Sequence, residues 1–409
     1  MSFRRAAPER VFVFGRHDEA TLGQIEYVVR HAVRGALMAD GHVGYVMPIG
    51  GVAAFENAVS VAGVGFDIAC GNAAILTDLR LEDVEDHLEE IADEIQATIS
   101  FGLGRTNKAS DAPVDHPLFK SEAWEAIPAP RPEREELREK ARAQLGTVGG
   151  GNHYVDVFAD EERRIWVGVH FGSRGLGHTI AQGFLSLTAG KKWGESVSEH
   201  LALLDLRTEL GQRYWTLMTL AGEYAYAGRE WVARKVVGIL GGRELDLVHN
   251  HHNFAWREVH DGRELVVVRK GATPAWPGQR SFVGGSMGDL SVILRGAVSE
   301  DPEVVELQRS ALYSTVHGAG RVMSRSEAKG KIRKGKVIQP GRIRREEMLE
   351  VLRRRGVILR GGDVDEAPQV YRPLEEVLAA QAPTIEILHR LRPLVVVMAG
   401  PGDVDPYKD

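Results

Sequence analysis

An α+β fold is what the 409-residue sequence predicts. Segments patterned for strands and for helices both occur, they do not alternate in the regular way a doubly wound sheet requires, and no tandem repeat of fixed period is present. In chain order, Arg10 to Phe14 reads as a short strand and Thr21 to Ala36 as a helix. The loop DGHVG at 40–44 follows, and then a Gly, Val and Ala-rich strand region broken by glycine turns from Gly50 to Ile75. Leu81, Val84, Leu88, Ile91, Ile95 and Ile99 recur at spacings of three and four, an amphipathic helix. Residues 105–135 are proline-rich and polar and read as a surface excursion. Helical periodicity runs over 183–235, carried by Leu201, Leu204, Leu210, Tyr214, Leu217 and Leu220. A basic tract spans Lys329 to Arg345, a helix with Glu346, Glu347 and Glu350 follows it, and Leu394 to Met398 is a last strand.

Composition excludes several classes. With 43% hydrophobic and 26% charged residues the chain is globular rather than disordered. Its net charge of −6 (51 basic against 57 acidic residues) means that any nucleic-acid contact must come from a local patch. No apolar run reaches the roughly 18 residues of a membrane span, and the charged start lacks the apolar stretch of a signal peptide. A single cysteine makes no internal disulfide, which suits a reducing cytoplasm. Glycine is the outlier, at 46 residues, about 11% against about 7% on average, and many of these glycines cluster beside histidines.

Five segments carry candidate chemistry. GFDIACG at 65–71 sets Asp67 and Cys70 three residues apart between glycines, so both can face one ion if the backbone turns. A lone cysteine is also a common buried structural residue. GGGNHYVD at 149–156 delivers Asn152, His153 and Asp156 from a glycine turn. VGVHFGSRGLG at 167–177 ends an apolar strand in His170 and then offers Ser173 and Arg174. HNHHN at 249–253 holds three histidines and Asn253, and VHGAGR at 316–321 holds His317 and Arg321, with Ser324 and Arg325 close behind. Any one of these histidines reads as an ordinary hydrogen-bonded residue. Together, imidazole, thiolate and carboxylate suit a borderline divalent metal. Zinc is one candidate, although no CxxC pair is present and the donors lie far apart in sequence. Arginines and glycine-rich turns suit phosphate, so metal-assisted phosphoryl or nucleotidyl transfer is the chemistry indicated.

In order, DGHVG, GVGFDIACG, GTVGGGNHYVDV, HFGSRGLGH, HHN, RKGATPAWPG, GGSMG, HGAGRVMSR and DEAPQVY resemble the RtcB family of RNA-splicing ligases, from about Met38 to Tyr371. The resemblance implies one catalytic domain over 1–409, with the basic tract at 329–345 and a short tail at 401–409. It also implies an α+β fold whose sheet-lined cleft holds two metal ions. By similarity, Cys70 bridges two Mn²⁺, His153 and His170 complete one site, and Asp67 and His252 complete the other. His317 is then the nucleophile that takes a guanylate from GTP. Asn152, Asp156, Asn253, Ser286, Arg321 and Tyr371 are implied for the nucleotide, Arg174 for a phosphate, and Lys331, Arg333 and Lys334 for the RNA backbone. For the basic tract, a solvated surface loop is the competing expectation. The implied reaction joins an RNA 3′-phosphate or 2′,3′-cyclic phosphate to a 5′-hydroxyl, as in tRNA splicing or RNA repair, with a helper protein as a further partner and no membrane.

The sequence departs from the family at four points. Met398 stands where many members carry a lysine that reads the base, Phe171 stands where serine is common, and Pro274 and Gly284 are smaller changes. Met398 cannot donate the lysine's hydrogen bond, which loosens the expected guanine preference and fits a divergent paralogue. Two other readings keep the same scaffold: a metal-dependent RNA end-processing phosphodiesterase with little ligation, and a non-catalytic RNA-binding protein. The second sits poorly with the complete donor set.

Overall fold

The computed structural model describes residues 3–6, 10–333 and 336–401. The basic-tract residue Lys334 and the tail from 402 onward lie outside them.

Two large sheets organise the chain. The first has six strands in the order Phe3–Ala6, Val11–Phe14, Arg34–His42, Ile49–Phe55, Arg263–Lys270, Asn253–His260. The second runs Glu244–His251, Gly71–Arg80, Arg164–Phe171, Tyr154–Ala159, Ile385–Met398, Ser291–Gly296, Arg280–Val283, with Ile358–Arg360 added alongside Ile385–Met398. Pairing is antiparallel except between Val11–Phe14 and Arg34–His42 and between Ile358–Arg360 and Ile385–Met398. That is the α+β organisation expected from the irregular order of elements.

The second sheet curls until its end strands meet. Asn250 Oδ1 accepts from the Phe282 amide at 3.0 Å, Asn72 Nδ2 donates to the Phe282 carbonyl at 2.8 Å, and Arg280 pairs with Asp246. Side chains alternate across it with period two. Val155, Val157, Val167 and Val169 face outward and join Val232, Val236, Ile91 and Ile95 in one apolar cluster, against the helices Glu209–Ile239 and Leu88–Thr98. Tyr154 and Phe158, with Trp166 from the neighbouring strand, face inward, where they join Ala74 and Phe282. Gly168 sits between these rings, and a Cβ there would come within 2.7 Å of Phe158 and 2.9 Å of Phe282. The polar residues at inward positions, Asn72, Asp156 and His170, are thereby collected inside the curl.

Four expectations change. The helix begins at Glu19, capped by Asp18 accepting from the Thr21 amide at 2.7 Å, but it ends at Val29 rather than Ala36. Residues Arg34–His42 are a strand, because Gly35, Ala36 and Leu37 find partners in both neighbouring strands. The Asp40–His42 segment is accordingly buried strand rather than loop, apart from a partly exposed His42. The excursion at 105–135 is only partly superficial, since Leu118, Phe119, Trp124 and Ile127 are buried in the core beside Tyr224 and Leu217. Finally, Gly330–Arg333 and Lys336–Pro340 pair as an antiparallel hairpin.

Of the helical periodicity assigned to 183–235, Leu210, Tyr214, Leu217 and Leu220 fall in the helix Glu209–Ile239 and its start in Arg174–Thr188, but Leu201 and Leu204 lie between the helices, Leu204 in the short strand Leu203–Asp205. The acidic helix after the basic tract is Arg345–Arg354. Among the described residues no helix is long and apolar enough to cross a membrane.

Candidate active site

The donors predicted for a metal converge. Cys70 closes the turn after the short helix Val61–Val64, where Ala69 takes a left-handed φ of 61°. His170 and His251 both pair into the strand that starts at Gly71, which brings the next residue, His252, to the same end of the sheet. The Cys70 thiol lies 3.2 Å from His170 Nε2 and 3.7 Å from His153 Nε2, and His153 Nε2 lies 3.0 Å from Asp67 Oδ2. Two groups of donors, each within 4.8 Å, share the thiol: Asp67, Cys70 and His153, and Cys70, His170 and His252. This differs from the expected division, in which His153 sat with His170 and Asp67 with His252. Asp67 bonds His153 directly, whereas the His170 and His252 rings are neighbours, with centroids 5.2 Å apart.

This donor set fits a divalent cation. His252 Nδ1 is buried with no hydrogen-bond partner, which is costly unless something else occupies it. His170 Nδ1 donates to the Asn152 carbonyl at 3.1 Å, which turns its Nε2 lone pair toward the thiol. Burial lowers the pKa of His170 and of His252 well below the ordinary value, keeping both neutral, as ligands must be. Burial also opposes ionisation of Asp67, but the hydrogen bond and charge of His153, with Arg174 adding, hold it at about 2. Burial, and next Asp67, push the Cys70 thiol well up, although Arg229 acts in the opposite direction. A bound cation would reverse that balance, because metal coordination deprotonates thiols.

His317 follows the strand Ser314–Val316 and faces the same centre, its ring centroid 4.9 Å from that of His252. Its Nδ1 lies 2.6 Å from Asp40 Oδ2, which also accepts the amides of His317 at 3.0 Å and Gly318 at 3.2 Å. Burial disfavours ionisation of Asp40, yet His317 outweighs it and keeps the carboxyl below its ordinary value. A carboxylate there requires Nδ1–H, so the Nε2 lone pair is free to act. His42, held neutral by burial at about 4, donates its Nδ1–H to the Asp40 carbonyl at 3.0 Å.

A cavity opens at the mouth of the curled sheet, lined by His170, His317, Asn152, Asp156, Ser286 and Tyr371 among others. Asp156 Oδ1 and the Tyr154 hydroxyl are buried there with no hydrogen-bond partner, and burial pushes the Asp156 carboxyl well above its usual range. Met398 pairs with Tyr154 across the strands and also lines the cavity. Gly284 makes room for the Tyr154 ring, since a Cβ there would lie 2.1 Å from its hydroxyl.

Other predicted residues are placed differently. Arg321 is on the cavity wall, but most of its donors are taken: Nη1 by the Tyr371 hydroxyl at 2.9 Å, Nη2 by the Asp365 carbonyl at 2.8 Å and Nε by the Met323 carbonyl at 3.3 Å. Tyr371 donates to Glu366, which also pairs with Arg325. Asn253 is not a cavity residue. Its side chain spans from the Gly271 amide, accepted at 2.7 Å, to the Asp67 carbonyl at 3.4 Å and so braces two loops. Arg174 heads its helix with Nη1 3.4 Å from His153 Nδ1, on the Asp67 side of the centre. Lys331 and Arg333 lie in the hairpin strand, and nearby Lys329 is spent on Asp363 at 2.7 Å and Asp365 at 3.0 Å.

Sequence reasoning gave Asp40 no firm role and missed the Arg325–Glu366 pair. The motifs DGHVG and DEAPQVY contained both acids, but nothing local tells which distant side chain an acid will meet.

Donors for a divalent cation beside an oriented histidine, arginines and glycine turns define a site equipped for metal-assisted chemistry on phosphates. The comparisons with known proteins name the family. A family model described as "tRNA-splicing ligase RtcB" matches residues 20–399. The chain is 33% identical to the tRNA-splicing ligase RtcB of Archaeoglobus fulgidus, over 89% of this chain and 87% of that one. It is 31% identical to the RNA-splicing ligase RtcB of Escherichia coli K12, over 93% of each. RNA-splicing ligase RtcB homolog 2 of Entamoeba dispar is 32% identical, over 89% and 80%. The chain belongs to the RtcB family.

Proposed function

We propose that this chain is an RNA ligase that joins a 3′-phosphate or 2′,3′-cyclic phosphate end to a 5′-hydroxyl end through a guanylate carried on His317, with residues 1–409 acting as one catalytic domain. The observation that carries the reading is the Asp40–His317 pair facing the shared donor set. Asp40 fixes the Nδ1–H tautomer and leaves Nε2 as the nucleophile. Attack on the α-phosphorus of GTP forms the P–N bond and expels pyrophosphate. The RNA 3′-phosphate then displaces His317 to form an anhydride with GMP. Attack by the 5′-hydroxyl on the RNA phosphorus forms the phosphodiester and releases GMP. A cyclic phosphate must first be opened by water.

Asp67, Cys70 and His153 would hold one divalent cation and Cys70, His170 and His252 a second, manganese by resemblance, and these ions would supply charge neutralisation at the phosphates. Asp156 is the group for the base, because a buried carboxylate with an open oxygen suits the paired N–H donors on the Watson–Crick edge of guanine. Asn152, Ser286 and Tyr371 line the same cavity. Arg174, with Lys331, Arg333 and Lys334 of the basic tract, would hold the RNA backbone.

The test is a ligation assay with an RNA 3′-phosphate strand and a 5′-hydroxyl strand, in Mn²⁺ and GTP. Joined product that depends on both supports the reading. Opening of a cyclic phosphate without joining would indicate an end-processing phosphodiesterase instead.

A further inference from the structure

HNHHN contributes one presumptive ligand, His252, and leaves His249 and His251 without a function. Both meet Arg229, a residue of the long helix Glu209–Ile239 that is fully buried. Its Nε donates to His249 Nε2 at 2.9 Å and its Nη2 reaches His251 Nδ1 at 2.8 Å. Its Nη1 donates to two backbone carbonyls, that of Ala69 at 2.9 Å and that of Phe171 at 2.6 Å. The guanidinium lies over the Tyr226 ring, 5.3 Å from its centroid.

Three of these partners share one property. Ala69 precedes Cys70, Phe171 follows His170 and His251 precedes His252. We propose that Arg229 is a positioning residue that locks the three ligand-bearing segments against one another from behind, so that Cys70, His170 and His252 close on a metal ion. The inference rests on the metal reading above.

Geometry supports it from both sides. Each of three grips falls on the residue next to a ligand, so Arg229 ties the ligand-bearing segments together without touching the ion. A planar fork with five N–H donors can serve four acceptors on three segments, and an ammonium cannot reproduce that. The approach needs Gly71, where a Cβ would come 3.1 Å from Nη2 and 2.2 Å from the Asn250 carbonyl. Burial lowers Arg229 only to about 10, so it stays charged and acts to favour the Cys70 thiolate. Among the described residues no carboxylate is bonded directly to it, and Glu230 reaches it through His249, 3.5 Å from Nδ1.

The experiment is a Co²⁺ titration of the full chain, reading bound metal by elemental analysis and the thiolate-to-cobalt charge-transfer absorption, with near-UV circular dichroism and Tm to establish folding. Wild type is compared with Arg229→Lys, His251→Leu and His251→Asn, the last of which keeps an acceptor near the position of Nδ1. Folded Arg229→Lys and His251→Leu should bind Co²⁺ roughly 10–100-fold more weakly, the range for losing an outer support of a metal ligand, with a diminished or shifted band. His251→Asn should restore most of both. Wild-type affinity and band in either disruptive variant overturn the proposal, and if Arg229→Lys does not fold, the His251 pair decides. A wild type that binds no cobalt would instead remove the metal reading itself.

Discussion

Asp40 Oδ2 accepts three N–H groups from one turn, the His317 ring at 2.6 Å and the amides of His317 and Gly318. One buried oxygen therefore fixes the position, rotation and tautomer of the imbedded ring. The two residues lie 277 positions apart, and the fold brings them together by pairing Arg34–His42 into the first sheet.

Asp40→Asn should leave the fold intact and the chemistry crippled. An amide oxygen in the place of Oδ2 can still accept all three N–H groups, but it is neutral, so the charge that holds Nδ1–H and offsets positive charge building on the ring during attack is lost. Formation of the histidine–guanylate should slow by roughly 10²–10⁴-fold, the scale seen when an orienting carboxylate is made an amide, with little change in Tm. Single-turnover labelling measures it, and a rate within a factor of a few of wild type would deny Asp40 the orienting role.

Cys70 belongs to both donor groups, so one substitution reaches both. Cys70→Ala should lose metal from the two sites together, whereas Asp67→Ala should chiefly affect one. Metal content after dialysis distinguishes these outcomes. Two full equivalents retained by Cys70→Ala contradict the shared position.

Asp156 gives a pH dependence. Its folded pKa is raised by burial, so between the ordinary carboxylate pKa and the raised one the native state holds a proton that the unfolded chain has released. Stability contributed by this group is therefore lost as pH rises through that window. Without nucleotide, Asp156→Asn should raise Tm at neutral pH and leave it nearly unchanged below about pH 4. The same variant should take up GTP roughly 10–100-fold less efficiently, as expected of an exchanged base-reading hydrogen bond. Equal Tm profiles for the two proteins would remove the protonation argument.

Gly284 and Tyr154 are coupled by space, because a Cβ at 284 would fall 2.1 Å from the Tyr154 hydroxyl. Gly284→Ala should raise the KM for GTP several-fold with metal content unchanged. Adding Tyr154→Phe, which removes the clashing oxygen, should recover most of it. No recovery would mean that position 284 acts through its own backbone.

Much of this was legible in the sequence. The period-three-and-four spacing of Leu81 to Ile99 gave a helical stretch, realised as Leu81–Val84 and Leu88–Thr98 with a 3₁₀ turn between. The five motif segments named most of the residues that meet at the centre. What failed was set by partners distant in sequence. Gly35 and Ala36, at the end of the expected helix, were claimed by two strands, and Phe119 and Trp124 sat in a polar, proline-rich stretch yet were buried in the core beside the long helix. Arg321, implied for the nucleotide, lines the cavity, but the acceptors that engage it there, Tyr371 and the Asp365 carbonyl, lie 44 to 50 residues further on, out of reach of its own motif. The division of ligands between the two donor groups likewise depends on packing that no motif spacing encodes.

The most direct measurement is covalent labelling by α-labelled GTP in Mn²⁺, run beside the other three nucleotides and with His317→Ala. The account predicts an acid-labile, base-stable label on wild type, greatest from GTP, and none on His317→Ala. No label on wild type, or an undiminished label on His317→Ala, would contradict it.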